Sequence, residues 1–224
     1  IKSGKINYTS GLYGKKFEKN FSKFIGNKYS IAICNGTAAL EIAIKSLKLP
    51  NNSEIIVPAR SFFSSASCIV NTGNLPVFAD VDSITQNISL EDIKKKINKN
   101  TKAIICVHLA GLPCDIQSIK NIAKKNNIKI IEDCSQAHGA SINNKQVGSF
   151  GDVATWSFCT DKIISTLGEG GMISTNNKKI YNYCQTHINH GSVLLKKNNS
   201  EKFIYNKHFF GTNLRITEIQ SIAG

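Results

Sequence analysis

Lys162 stands in "FCTDKIISTLGEGGMIST", between a strand-like run and a cluster of glycines with one glutamate, Glu169. The run "VATWSF" leads into it, so Lys162 sits near the point where a strand leaves its sheet. A lysine in a partly buried site can lose its proton and attack a carbonyl. Two other stretches put chemistry in the same place relative to a strand. "EDCSQAHG" places Asp133 at the end of "IKII". A buried carboxylate there needs a cationic partner. "NGTAAL" follows "YSIAIC": Asn35 and Gly36 make a turn, Thr37 supplies a hydroxyl, and a helix begins. A helix N-terminus offers free N–H groups to a phosphate. Taken singly, Asp133 reads rather as a cap for the next helix, and "NGTAAL" equally as an ordinary capped helix.

The elements that must position these residues follow one pattern. Apolar runs of strand length alternate with helical segments: "YSIAIC" then "AALEIAIKSL", "EIIVP" then "SSASCIVNTG", "LPVFADV" then "SLEDIKKKI", "KAIICVHL" then "DIQSIKNIAKKN", and "IKIIED". Continuous apolar strands between helices predict an α/β fold with a mostly parallel sheet covered on both faces, a three-layer sandwich. "VATWSF" and "GGMIST" add two strands joined by a segment too short for a helical crossover. One strand of the sheet is therefore expected to run antiparallel. Residues 192–208 are mixed and polar and read as a mobile loop. In such sheets ligands bind beyond the carboxyl ends of the strands, which is where Thr37, Asp133 and Lys162 all fall.

Charge and cysteine content narrow the function classes. The 224 residues carry 28 Lys+Arg against 15 Asp+Glu, a net charge of +13. The basic runs, such as "KKKINKNTK", mix lysine with asparagine and isoleucine and carry no interleaved aromatics. They read as solvated helix ends rather than a nucleic-acid or membrane surface. The seven cysteines include no CxxC pair, which fits a reduced, cytoplasmic protein better than a disulfide framework or zinc site. His187 and His190 in "HINH" lack a third ligand at suitable spacing, so no metal site is expected.

One aldehyde cofactor uses a lysine, a carboxylate and a phosphate cradle together: pyridoxal 5′-phosphate. The motifs "NGTAAL", "VPARSFFSSAS", "PVFADVD", "VHLAGLPCD", "IIEDCSQAHGA", "VGSFGDVATWSF", "DKIISTLGEGGM" and "GTNLRITEIQ" go further. Along nearly its whole length the chain resembles the DegT-type sugar aminotransferases, members of the fold type I pyridoxal-phosphate enzymes. The resemblance implies a role for each matching position. Lys162 matches the Schiff-base lysine and Asp133 the partner of the pyridine nitrogen. Gln136 matches the residue near the cofactor's phenolic oxygen, and Phe62 the aromatic that stacks on the ring. Thr37 and Ser157 match phosphate ligands, with the Gly36–Ala38 backbone beside them. Asn213 matches a residue that reaches the phosphate in a neighbouring subunit's site, which implies a homodimer with shared active sites.

The resemblance further implies transfer of an amino group, with glutamate as donor, to a keto-sugar nucleotide. Relatives with histidine at the lysine position are dehydratases, so Lys162 favours transamination. "NLRI" replaces the commoner "NYRM", Ser61 replaces a threonine, and Cys159 and Thr160 stand where many members carry His-Pro. These departures leave the substrate open. His108 and His138 are expected to be structural, and Glu169 to hold the glycine turn or line the pocket. Residues 1–224 are expected to form the cofactor-binding large domain with an N-terminal segment. "TEIQSIAG" opens a helix that stops in its second turn, so a C-terminal small domain is expected to be missing. The other readings are an amino-cyclitol transaminase, a sugar dehydratase, a non-catalytic regulator on the same fold and a basic nucleic-acid-binding protein.

Overall fold

A computed structural model describes residues 4–197, 200–205 and 209–224. The chain alternates helices and strands from the start: α1 (Tyr13–Ile25), β1 (Tyr29–Ile33), α2 (Gly36–Ser46), β2 (Glu54–Pro58), α3 (Ser64–Asn71), β3 (Leu75–Ala79), α4 (Leu90–Lys96) and β4 (Thr101–Val107). A 3₁₀ turn at Leu109–Gly111 precedes α5 (Ile116–Lys125) and β5 (Lys129–Asp133). A small hairpin of β6 (Ser141–Ile142) and β7 (Lys145–Gln146) leads to β8 (Val153–Ser157) and β9 (Gly171–Thr175). Then come α6 (Lys178–His187), β10 (Ser192–Lys197), β11 (Ser200–Tyr205) and α7 (Glu218–Ala223).

Seven strands form one sheet in the order β1-β9-β8-β5-β4-β2-β3. Pairing is parallel from β8 to β3, and β9 runs antiparallel to both its neighbours. The single antiparallel strand follows from the short β8–β9 link, which leaves no room for a helix.

Side chains alternate across the sheet as a two-residue period demands. Ile55, Val57, Ile105, Val107 and Ile131 face α1, α2, α3 and α6. Ile56, Ile104, Cys106 and Ile130 face the other way, onto α4 and α5. Two apolar layers thus bury both faces of the sheet. Trp156 and Phe158 of the β8 edge pack on Phe21 of α1, at ring separations of 5.1 and 5.5 Å.

Several elements differ from the sequence reading, which also named nothing for β6, β7 and α6. Helix α1 was not anticipated, although Phe17, Phe21 and Ile25 recur every four residues and are buried. Its N-cap, Leu12, offers no side-chain acceptor. The cap comes instead from Glu218, whose carboxylate accepts the N–H groups of Tyr13 and Gly14 at 2.8 Å each. A negative charge at a helix N-terminus is favourable. The expected loop over 192–208 is a hairpin of β10 and β11 over 192–205. Hairpin pairing depends on cross-strand backbone bonds, which polar residues satisfy as well as apolar ones. Residues 198–199 and 206–208 of that stretch lie outside the described residues.

Glu132, the penultimate residue of β5, is fully buried. Its carboxylate accepts N–H groups from Gly148, Phe150 and Gly151 at 2.8, 2.7 and 2.6 Å. Its fourth partner is the His108 ring, at 3.1 Å. The Cys114 N–H donates to Nδ1 of that ring, so Nε2 is the nitrogen that donates to Glu132. Burial alone would raise the Glu132 pKa, but the His108 bond and the backbone N–H groups outweigh it and hold the pKa below its ordinary value. Glu132→Gln puts an N–H₂ among donors and should cost about 3 kcal/mol or more. Urea denaturation with an unchanged slope checks this. A loss within the ~0.5 kcal/mol of an ordinary surface change would show that these bonds do not hold the frame.

Candidate active site

The parallel strands deliver their carboxyl ends to one edge of the sheet, and β9 begins there. Along one rung Ser157, Gly171 and Ile33 lie side by side on β8, β9 and β1. Beyond β1 the chain turns at once into α2. Asn35 caps that helix by accepting the Ala38 N–H at 2.8 Å. Among the described residues the N–H groups of Gly36 and Thr37 and the Thr37 hydroxyl have no acceptor. The Ser157 hydroxyl takes only a long 3.4 Å bond from the Cys159 N–H.

Close approach shapes this cradle. A Cβ on Gly36 would lie 2.8 Å from the Ser157 Cβ. A Cβ on Gly171 would lie 2.6 Å from the Asn35 backbone. Glycine at both positions lets β8 and β9 press against the start of α2. The result is a pocket of unpaired N–H and hydroxyl donors at a helix N-terminus, suited to a phosphate.

Asp133 ends β5 and is only 5% exposed. Its Oδ1 accepts the Ser135 N–H at 3.2 Å and the Ser135 hydroxyl at 2.7 Å. Its Oδ2 accepts the Ser65 hydroxyl at 3.0 Å. Every one of these donors is neutral. Among the described residues no cation pairs with Asp133, and its charge is met there by neutral donors alone.

Gln136 lies three residues on. Its Oε1 accepts the Ala110 N–H at 2.7 Å. That bond leaves the Nε2 amide as the free, donating end. Ala110 adopts a left-handed φ of 51° and Gly111 one of 85°. A Cβ on Gly111 would come within 3.3 Å of the Gln136 carbonyl, so this loop folds tightly over the turn after β5.

Lys162 sits on the loop between β8 and β9, its side chain 20% exposed. Its Nζ donates to Asp161 at 3.0 Å, and Asp161 itself is exposed. Phe62 is 70% exposed just before α3, and its carbonyl accepts the Ser65 N–H. Asn213 is exposed, on a segment whose next residue, Leu214, accepts the Cys34 N–H at 2.9 Å. That segment therefore borders the cradle of its own chain. Gly36, Thr37, Ala38 and Ser157 converge, and Asp133 and Gln136 share one turn. No described hydrogen bond ties Phe62 or the Asn213 side chain to the rest.

Glu169 holds the glycine turn through its backbone. Its carbonyl accepts the Thr166 hydroxyl at 2.9 Å and the Gln220 amide at 2.6 Å. Buried thiols flank the site without chemistry of their own, since burial pushes Cys68 and Cys134 up to about 12. Cys134 also lies with His108 and Glu132 in a grouping of metal-ligand type. The four donors already on Glu132 mark that grouping as structural. Sequence reasoning missed Ser65, Glu132 and the Ala110 N–H, because each acts through a contact made only in the fold.

The chain matches the DegT/DnrJ/EryC1/StrS aminotransferase family over residues 1–224. It belongs to that family. Two curated relatives set the scale of likeness. A GDP-perosamine synthase of Vibrio cholerae is 40% identical over 92% of this chain and 56% of its own. A dTDP-3-amino-3,6-dideoxy-alpha-D-galactopyranose transaminase of Aneurinibacillus thermoaerophilus is 42% identical over 92% of this chain and 54% of its own. A solved aminotransferase from Psychrobacter cryohalolentis superposes with a TM-score of 0.92 at 41% identity, covering 99% of this chain and 57% of that one. The chain spans about half the length of the curated relatives it matches. The α/β fold is that of fold type I pyridoxal-phosphate aminotransferases. Enzymes of this family depend on pyridoxal 5′-phosphate.

His138 is a buried histidine beside this site. It packs on the Trp156 and Phe158 rings at 5.4 and 5.7 Å, and neither ring nitrogen has a well-formed hydrogen bond. Burial lowers its pKa to about 4; the Ser157 carbonyl pulls the other way and the Lys162 charge adds to the fall. An unfolded histidine titrates near 6.5, so the unfolded chain binds the extra proton first. Stability from a neutral His138 is therefore complete above pH 6.5 and is lost as pH falls from there toward 4. The total is on the order of 3 kcal/mol. Denaturation midpoints of wild type and His138→Phe across pH 4–7 test it. The variant should lose much of the wild-type slope, and equal slopes would show that His138 is protonated freely in the fold.

Proposed function

We propose that this chain is the cofactor-binding part of a pyridoxal-phosphate-dependent sugar aminotransferase, transferring an amino group from glutamate to a keto-sugar nucleotide. One observation carries the reading. A buried carboxylate with only neutral donors, Asp133, lies at the same sheet edge as an unsatisfied helix N-terminus and a shielded lysine. The cofactor, when bound, supplies an electron sink and carries the amino group. The chain's own residues meet each of its parts. The N–H groups of Gly36 and Thr37, with the hydroxyls of Thr37 and Ser157, would take the phosphate. The Asp133 carboxylate would hold a proton on the ring nitrogen by balancing its charge. Gln136 would donate Nε2 to the phenolic oxygen, and Phe62 would cover one ring face.

Lys162 is the only lysine of the β8–β9 loop. It would hold the cofactor covalently, and its Nζ would accept and return the proton moved between donor and acceptor carbons. Its described partner, Asp161, is exposed.

The related enzymes named for GDP-linked and dTDP-linked sugars support a nucleotide-sugar acceptor, with the nucleotide undecided between them. The proposal sets the reaction in the cytoplasm. No described helix is long and apolar enough to cross a membrane.

In the full-length protein, Lys162→Ala should abolish the visible band of bound cofactor and cut turnover by a thousandfold or more, on the order expected for losing both nucleophile and base. Its melting temperature should stay within a few degrees of wild type. Assays run over GDP-, dTDP- and UDP-linked keto-sugars with glutamate as donor. A variant retaining band and turnover defeats the assignment of Lys162. Turnover with no keto-sugar nucleotide in the panel defeats the substrate class.

The proposal includes a homodimer in which Asn213 serves the partner's site. Lys162→Ala and Asn213→Ala subunits, each weak alone, should regain activity when mixed. In a two-fold dimer both lesions can fall in one site and leave the other whole. Mixed dimers, verified by two tags, that stay inactive would place Asn213 in its own chain's site or in none.

A further inference from the structure

Asp133 presents roughly four acceptor positions, as any carboxylate does. Three are filled, two on Oδ1 by Ser135 and one on Oδ2 by Ser65. One position on Oδ2 remains. Which oxygen keeps it, and where it points, depends on Ser65.

Ser65 is buried in the first turn of α3, 68 residues from Asp133 in sequence. Its hydroxyl is also 2.8 Å from the Ser61 hydroxyl. Direction follows from proton counting. A hydroxyl has one proton, and Ser65 spends it on the carboxylate, which can only accept. Ser61 must therefore donate to Ser65. The result is a one-way chain, Ser61 to Ser65 to Asp133 Oδ2. Hydrogen bonds in such a chain polarise one another, so the donor nearest the charge is strengthened. Ser61 itself is half-buried and keeps its acceptor capacity free.

We infer that Ser65, aligned by Ser61, is a positioning residue for the cofactor's ring nitrogen. It fixes the Asp133 carboxylate so that the one remaining Oδ2 position faces an incoming N–H cation. Ser135 cannot replace it, because both Ser135 bonds fall on Oδ1. The inference rests on the reading of this site as a pyridoxal-phosphate site. It assigns a role to the segment before and within α3, where Phe62 and Ser65 occupy one turn. The ring-covering aromatic and the carboxylate's support would then move as one piece, and a misplaced turn would disturb both.

The test uses the full-length protein without substrates. Wild type, Ser65→Ala, Ser65→Thr and Ser61→Ala are loaded with pyridoxal 5′-phosphate. The pH midpoint of the visible band and the cofactor dissociation constant are read, with apo-protein melting temperature as the fold control. A positive ring nitrogen disfavours a second proton on the cofactor's lysine-linked nitrogen. A loosened Asp133 weakens that charge, so the midpoint should rise in Ser65→Ala, by about half a pH unit or more. The dissociation constant should rise on the order of tenfold. Ser61→Ala should move both in the same direction by less, and Ser65→Thr, which keeps the hydroxyl, should restore both. An unmoved midpoint and dissociation constant in Ser65→Ala overturn the role of Ser65. An unmoved Ser61→Ala overturns the chain. A Ser65→Thr protein as impaired as Ser65→Ala, with melting unchanged, assigns the loss to packing and overturns the inference. A wild-type protein without a saturable visible band overturns the reading of the site itself, which is a separate result.

Discussion

Two adjacent carboxylates, Glu132 and Asp133, end the central strand β5, and both are buried. Successive side chains of a strand point to opposite faces, so the two acids need separate solutions. Glu132 faces the α4–α5 side and collects three backbone N–H groups and the His108 ring. Those bonds hold the 148–151 turn in place before β8 and fix the start of the loop after β4. Asp133 faces the α2–α3 side and collects only neutral donors, leaving its charge without a counter-ion. The first acid has its acceptor positions filled by the frame it organises. The second keeps an acceptor position that no described residue fills. A buried carboxylate costs several kcal/mol unless it is paired, and Asp133 takes three donors where Glu132 takes four.

The cradle obeys a different constraint, distance rather than charge. Gly36 and Gly171 remove two methyl-sized groups where α2, β8 and β9 meet. Any side chain there would force the strands from the helix and widen the gap between Ser157 and Thr37. The antiparallel course of β9 contributes, because it brings Gly171, at the beginning of a strand, to the edge where its neighbours end. A helical crossover between β8 and β9 would have placed a helix there instead. The short loop carries Lys162 across the open edge, close enough to His138 for the ammonium to oppose its protonation.

Most of the sheet was legible in the sequence because burial on both faces writes strands as unbroken apolar runs. Ile104 and Ile105, or Ile130 and Ile131, are neighbours that serve opposite faces and need the same residue type. The antiparallel strand was legible from loop length alone. Helix α1 was missed although its apolar stripe is regular; its lysines and its lack of a local cap hid it, since the cap, Glu218, is 205 residues away from Tyr13. The β10–β11 hairpin was hidden by polar composition. Motif positions such as Lys162, Asp133 and Thr37 could be named because each lies at or a few residues beyond a strand's carboxyl end. Ser61, Ser65 and the Ala110 N–H could not, because nothing in "SFFSSAS" or "HLAGL" tells which hydroxyl or amide will meet a carboxylate or an amide across the fold.

Net charge shows the same separation between local and global information. The chain carries +13, yet the cradle proposed for the phosphate is built from backbone N–H groups and hydroxyls, which are uncharged donors. A cleft of about 600 Å³ at the opposite edge of the sheet carries Lys48, Lys129 and Lys179. There Lys129 lies 3.1 Å from Asp152, and that carboxylate also accepts the Ile130 N–H. The lysines are solvated, long and variable in reach, and salt screens them. Helix N–H groups are fixed by the backbone and lose nothing in flexibility when an anion arrives. A phosphate that must hold a reactive ring in one orientation gains more from donors that cannot move than from cations that can. The surface charge therefore says little about the site, and the unsatisfied donors at the start of α2 say a great deal.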